Sequence, residues 1–485
     1  MSARPHHKPL MSSEVETPCP AQPGQAEILG FSPTGLSASL ETSGGGLAGT
    51  ARALLGHVGV GDGGPRRIGR LTSYDGLMLE ATGLEAPVGA GARIVDADGH
   101  VARAEVVGFR GNRTLLMGLG ADAAHAAGAR VEPDASSSMV EVGPGLLGRV
   151  IDALGQPLDG LGPVPATDKW PLAGRRGNPL DRARVTQPFD IGVRGVNALL
   201  TAGVGQRIAI VAGSGVGKSV LMGQMLNGAE ADVIVVGLIG ERSREVSDFL
   251  ATKLGGPVRQ KSVVVAVPAD HAPLLRLRAA MRATAIAEDF RARGLKVLLL
   301  IDSLTRVAHA QREIGLSLGE PPTVKGYPPS ALGLIPRLCE RAGADAVTGG
   351  SITALYTVLA DGDDTDDPIV DAARAIVDGH IILSRGLAEQ GVYPAIDVGR
   401  SLSRVMSDIA DPEHLAAAQA LRRLWSAYED NRDLILMGAY AVGSDALIDE
   451  AIVRRPETLE FLRQAPGEQI GFGESVAALC GMMAS

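Results

Sequence analysis

A strand that runs into Ala212, Gly213, Ser214, Gly215, Val216, Gly217, Lys218 and Ser219 leaves this chain few folds to choose from. The preceding residues 207–211, Arg-Ile-Ala-Ile-Val, are mainly apolar, and residues 219–226 read as a helix. Strand, glycine loop, lysine and serine in that order make a phosphate-binding P-loop. Glycines let the backbone curl until successive N–H groups point at a β-phosphate, and the helix N-terminus adds its positive dipole end. Lys218 then reaches the β- and γ-phosphates, Ser219 offers a hydroxyl suited to Mg²⁺, and Val220 completes the binding segment. A dinucleotide fingerprint starting at Gly213 fails, because its third glycine falls on Lys218. Ala212 stands where the motif has glycine, which matters only if that residue must take a positive φ.

A P-loop needs a parallel sheet around it, and the sequence supplies the strands. Apolar runs at 207–211, 233–238, 263–267, 297–301, 352–359 and 380–383 alternate with longer helical stretches, the pattern of βαβ units. The run at 296–301 ends in Asp302, which reads as the carboxylate that holds Mg²⁺ through water. The run at 233–239 leads through Gly240 to Glu241, the candidate for orienting the attacking water beyond a γ-phosphate. Without the P-loop, Glu241, Arg242 and Glu245 would read as a solvated helix start.

At 485 residues the chain has room for two to four domains. Residues 1–64 begin with a Pro-rich arm, and Leu47, Ala51, Leu54, Leu55 and Val58 are spaced for a short amphipathic helix. Short alternating runs broken by Gly and Asp predict a small β-barrel at 65–137. The predicted α/β nucleotide-binding domain, with a mainly parallel sheet, covers 138–404. A helical C-terminal domain follows at 405–485, with Leu415, Leu421, Leu424, Trp425 and Tyr428 at helical intervals. The acidic run at 361–367 lacks the sixth-place Gly and twelfth-place Glu of a calcium loop and reads as a solvated loop. His271, His309 and His380 have no ligand spacing and read as structural.

Charge and cysteine content narrow the function classes. The net charge of −9 argues against a general nucleic-acid binder. Cys19, Cys339 and Cys480 are too few for a disulfide framework and too scattered for a metal knuckle, which suits reduced thiols in a cytoplasmic protein. No stretch is long and apolar enough to predict a membrane span, so membrane contact is expected only through partners.

The chain resembles the rotary ATPase superfamily of α/β-type subunits, and within it the type III protein export ATPases, the flagellum-specific branch above all. The likeness is carried by Gly-Leu-Leu-Gly-Arg-Val-Ile-Asp at 145–152, Gly-Val-Arg-Gly-Val-Asn-Ala-Leu-Leu at 192–200 and the P-loop. Further on come Gly-Glu-Arg at 240–242, Asp-Ser-Leu-Thr-Arg at 302–306, Gln-Arg-Glu-Ile-Gly at 311–315 and Lys-Gly-Tyr-Pro-Pro-Ser at 325–330. Tyr-Pro-Ala-Ile-Asp at 393–397 and Ser-Leu-Ser-Arg at 401–404 complete the set.

That resemblance implies an ATP hydrolase with a RecA-like central domain, working as a homohexamer. Glu241 would polarise water, Arg404 would enter the neighbouring subunit's site, and Tyr393 would stack on adenine. Arg242 and Arg306 match family positions near the phosphates and are equally compatible with structural ion pairs. The implied partners are a stator-like regulator, a central-stalk-like export protein, export chaperones with their substrates, and a membrane export gate reached through partners. The expected place is the inner-membrane export apparatus, and the 325–330 loop is a candidate to face a central pore.

The Pro-rich start departs from the basic amphipathic N-terminal helix with which family members bind the regulator. Three other readings compete: an injectisome export ATPase, a catalytic subunit of a proton-coupled synthase, and an RNA-translocating ring. The last needs stacking aromatics in the N-terminal module, where residues 67–131 hold only Tyr74 and Phe109. A nonhydrolysing scaffold is disfavoured by Glu241.

Overall fold

The computed structural model describes residues 68–120, 125–175, 177–360 and 367–484. The expected helix at 47–58 and the acidic run at 361–366 lie outside them.

Six short strands close the barrel: β1 (Gly69–Tyr74), β2 (Met78–Thr82), β3 (Gly91–Val95), β4 (Val101–Arg110), β5 (Arg113–Gly118) and β6 (Arg130–Asp134). Their order around the wall is β1-β2-β5-β4-β3-β6, all antiparallel, so no edge is left to pair with another chain. Side chains alternate inward and outward, and Leu71, Leu79, Ala81, Ile94, Val106, Leu116 and Val131 fill the interior.

The central sheet takes in β8 (Val150–Ile151), β10 (Arg207–Ala212), β11 (Val233–Ile239), β12 (Ser262–Val267), β13 (Lys296–Asp302), β14 (Gly343–Ala344), β15 (Ser351–Leu359), β16 (Gly379–Ile382) and β17 (Leu402–Ser403). The order is β17-β16-β10-β15-β13-β11-β12-β8, with β14 paired to β15. Only β14 and β17 run antiparallel to their neighbours. The inner strands read as near-continuous Val, Ile and Leu because both faces are covered. Val235, Val265, Leu299 and Ala354 enter one core, whereas Ile210, Val236, Leu298 and Leu300 enter the other. β7 (Met139–Val142) and β9 (Asp168–Pro171) form a separate two-stranded ribbon.

Among the helices, α1 (Lys218–Gly228) follows β10, α2 (Pro273–Ala292) follows β12, α3 (Leu304–Ser317) follows β13 and α4 (Pro368–Ile376) follows β15. The helical C-terminal part contains α5 (Pro412–Leu436), α6 (Ala446–Leu462) and α7 (Phe472–Ala484). Its Arg455 guanidinium lies 4.2 Å from the Trp425 ring centre and 4.3 Å from that of Tyr428, tying α6 to α5.

Inside the 325–330 loop, Tyr327 is buried and its hydroxyl meets His309 Nε2 at 3.0 Å, while Lys325 takes a positive φ of 47°. His380 Nε2 likewise lies 3.0 Å from the Arg400 carbonyl, in keeping with structural roles for both histidines. No helix among the described residues is long and apolar enough to cross a membrane.

Candidate functional site

The candidate site sits at the carboxyl edge of the parallel sheet, where β10, β11 and β13 each release a loop. Ala212 is the last residue of β10, paired with Leu359, and Lys325 is the only non-glycine with positive φ among the described residues. Alanine therefore costs nothing at that position. The turn is made further on by Gly215 (φ 79°) and Gly217 (φ 89°), the latter capping α1 so that Lys218 and Ser219 open its first turn. A Cβ on Gly217 would meet the Tyr393 ring at 3.1 Å, so glycine is needed there for space as well as for φ.

Lys218 brings the two sequence-predicted carboxylates together. Its Nζ lies 2.6 Å from Asp302 Oδ1 and 3.9 Å from Glu241 Oε1. Asp302 is 4% exposed, and the Thr357 hydroxyl donates to the same Oδ1 at 2.5 Å. Because β13 pairs with β15 at Ile301 and Tyr356, Thr357 falls directly beside Asp302. Thr357 was not among the residues the sequence marked: its strand also buries the hydroxyls of Ser351, Thr353 and Tyr356, so nothing local singles it out.

Glu241 Oε1 is buried with no hydrogen-bond partner, which is costly unless something else occupies that oxygen. Burial, with the Asp302 charge beside it and only partial relief from Lys218, pushes the Glu241 carboxyl up to about 7 from its ordinary 4.5. The folded chain therefore binds an extra proton between about pH 4.5 and 7, and stability falls as pH rises through that window. Glu241→Gln removes the buried charge. The variant's melting temperature is expected to equal the parent's near pH 5 and to exceed it by about 1–3 °C at pH 8, read by differential scanning fluorimetry. An equal difference at both pH values would contradict the shifted ionisation.

The donor set suits Mg²⁺. The ion uses few protein oxygens and keeps several waters, so one exposed serine hydroxyl and one fixed carboxylate suffice alongside phosphate oxygens. No cluster of three acidic, histidine or cysteine side chains among the described residues competes for a metal.

The arginines divide. The Arg242 side chain is 84% exposed and turns to Glu245 at 3.3 Å, so the structure leaves it out of the group formed by Lys218, Glu241 and Asp302. That contact is a solvent-exposed ion pair at the start of the helix that follows, one of the two roles the sequence left open for Arg242. Arg306 packs its stem on Gly240, where a Cβ would meet Arg306 Cβ at 3.0 Å, and its Nε is buried without a partner. Arg404 follows β17, at the opposite end of the sheet. Its N–H donates to the Asp378 carbonyl, whose own N–H donates to Arg207, the first residue of β10. Six residues of β10 separate that point from the P-loop, about 20 Å of strand. The exposed Arg404 guanidinium donates to the Arg374 carbonyl at 3.1 Å.

Tyr393 is half-exposed beside the P-loop, and its carbonyl accepts from Gln464 N–H at 2.8 Å. The buried Gln464 side chain donates to the Gly192 carbonyl at 2.8 Å, and Gln224 on α1 donates to the Ala465 carbonyl at 2.9 Å. Through this polar knot the C-terminal part fixes the face of the P-loop on which Tyr393 lies. Nothing in the spacing of Gln224 or Gln464 marked it in advance.

Two family models match successive segments of the chain. Residues 192–403 match the ATP synthase alpha/beta family, nucleotide-binding domain, and residues 410–481 match the T3SS EscN ATPase C-terminal domain. The chain is 52% identical over 419 residues to a Flagellum-specific ATP synthase of Pseudomonas aeruginosa, covering 86% of this chain and 93% of that protein. It is 47% identical over 416 residues to a Type 3 secretion system ATPase of Xanthomonas euvesicatoria, covering 85% and 93%. The assembled ATPase EscN of enteropathogenic E. coli, solved in complex with its central stalk EscO, superposes with a TM-score of 0.77 at 39% identity. That match covers 86% of this chain and all of the other.

Proposed function

This chain belongs to the ATP synthase alpha/beta family, among its flagellum-specific and type III secretion ATPases, and from that premise we propose a magnesium-dependent ATPase whose sites are shared between subunits of a homohexameric ring. Its turnover energises type III export of flagellar components. The observation that carries the shared site is the position of Arg404, at the end of the sheet away from Lys218, Glu241 and Asp302 of its own chain.

In this proposal, backbone N–H groups of residues 213–217 and the first turn of α1 bind the phosphates, while Tyr393 supports the adenine. Lys218 exchanges its contact with Asp302 for phosphate oxygens. Mg²⁺, held by Ser219 and through water by Asp302, would offset charge on the phosphates. Glu241 orients and polarises the attacking water. Arg306, with its buried unpartnered Nε, is the arginine of the same chain placed to turn toward phosphate, and Arg404 arrives from the neighbour.

The transition state of phosphoryl transfer is loose and spreads charge over the phosphate oxygens, so fixed positive groups matter more than covalent help. The working domain limits are 65–137, 138–404 and 405–485. The neighbour's complex with its central stalk supports a stalk-like partner for this ring, and the remaining partners are a regulator, export chaperones and an inner-membrane gate.

The higher identity to a flagellum-specific relative than to a secretion-system one favours flagellar cargo. Deleting the gene from its host should abolish motility and leave filament subunits inside the cell, with both restored by the parent gene and not by Lys218→Ala. A motile deletion strain that fails instead to secrete injectisome substrates would move the assignment to the other system.

A further inference from the structure

Where the barrel, the β7–β9 ribbon and α2 meet, the structure forms a partly open cavity of about 170 Å³ far along the chain from the P-loop motif. Arg278 and Arg282, one helical turn apart on α2, form one wall and are 3% and 4% exposed. Arg103 of β4, Ser137, Glu141 and Lys169 contribute others. Three of the residues lining the cavity carry a buried polar atom with no partner: Ser137 Oγ, Arg278 Nε and Arg282 Nη1. Native interiors rarely leave buried donors unmet, so three around one cavity need an explanation.

The charges say what kind of group would satisfy them. The lining holds four cations, Arg103, Lys169, Arg278 and Arg282, against the two carboxylates of Asp134 and Glu141. Arg278 is neutralised by Glu105 and also donates to the Ser137 carbonyl at 2.7 Å. Asp134 spends its carboxylate on Ser136, and nearby Asp152 spends its own on the N–H groups of Leu154 and Gln156. Arg282 gives Nε to the Ala153 carbonyl at 2.9 Å and has no carboxylate in hydrogen-bond contact. Burial first and then the Arg278 charge push it down to about 10, against weaker pulls from Asp152 and Glu141. Guanidinium N–H groups only donate, so the matching occupant accepts several hydrogen bonds and brings negative charge. Water could fill the volume but supplies no charge.

We propose that this cavity binds a compact tetrahedral oxyanion, inorganic phosphate or a phosphomonoester, on Arg282, Arg278 and Ser137, and that its binding clamps the barrel to the nucleotide-binding domain. The site is separate from the P-loop and does not depend on the function proposed above.

Thermal shift of the full chain, titrated with inorganic phosphate and separately with glycerol phosphate at an ionic strength fixed with chloride, tests it. A saturable rise in melting temperature is expected in the parent and in Lys218→Ala, which disables phosphate binding at the P-loop. Arg282→Gln should weaken the affinity about ten-fold or more, the factor expected for a charge-assisted hydrogen bond. Arg103→Ala, an exposed cation whose loss leaves the fold intact, should weaken it about two- to five-fold. The tighter of the two ligands identifies the source. A shift lost in Lys218→Ala but kept in Arg282→Gln would assign the effect to the P-loop and overturn the proposal. So would unchanged affinity in Arg103→Ala, or the absence of any saturable shift.

Discussion

Glu241→Gln is expected to bind ATP with near-parent affinity and to hydrolyse it about 10²–10⁴ times more slowly, the usual contribution of a positioned base. The substitution keeps size and shape, so the packing of the 240–242 turn and the Lys218–Asp302 contact survive. What disappears is the negative charge of a carboxylate whose buried Oε1 has no hydrogen-bond partner inside the protein and can accept from a water. Binding is carried mainly by backbone donors and Lys218, which the change leaves in place. A filter-binding or fluorescent-nucleotide titration alongside steady-state phosphate release separates the two effects. Parent-like turnover in the variant would show that another group orients the water.

Arg404→Ala should be at least as damaging. A trans-supplied arginine is worth about 10³–10⁵ in rate in comparable phosphoryl-transfer enzymes, because it meets charge that develops only in the transition state. Here it stands at the amino end of its own sheet, attached by Asp378 and Arg374 to backbone rather than to any carboxylate. Loss of that side chain leaves the fold's buried contacts untouched, so melting temperature and ATP affinity should hold while kcat collapses. Arg404→Lys should recover little, because a point charge lacks the planar fork that matches phosphate oxygens. A parallel fall in stability and activity would instead make Arg404 a structural residue.

Local signals carried most of the site. The P-loop, Asp302 and Glu241 were legible because each depends on a single strand and the turn after it, and strand ends in a parallel sheet converge on one edge. The barrel was legible as short alternating runs. Its wall order was not, because β5 inserts between β2 and β4 through pairings that no local pattern encodes. Thr357 required knowing that β15 lies next to β13. For Arg242 the motif allowed either a phosphate contact or an ion pair, and the structure has it paired with Glu245 in solvent. Arg306, equally ambiguous in the sequence, is the one packed over Gly240. The cavity between barrel and α2 was invisible for the same reason as Thr357: Arg278 and Arg282 look like surface charges of a helix until Glu105 of the barrel meets the first and the turn after β8 covers the second.

The shared site is tested most directly by mixing two inactive proteins, the Arg404→Ala variant and the Glu241→Gln variant, and measuring ATP hydrolysis before and after subunit exchange. In a randomly mixed ring with head-to-tail interfaces, roughly a quarter of interfaces join an intact P-loop and Glu241 to a neighbour with an intact Arg404. Hydrolysis should therefore rise well above the sum of the two separate samples, toward that fraction of the parent rate. A mixture that exchanges subunits and stays at the sum would place the whole site within one chain and contradict the account.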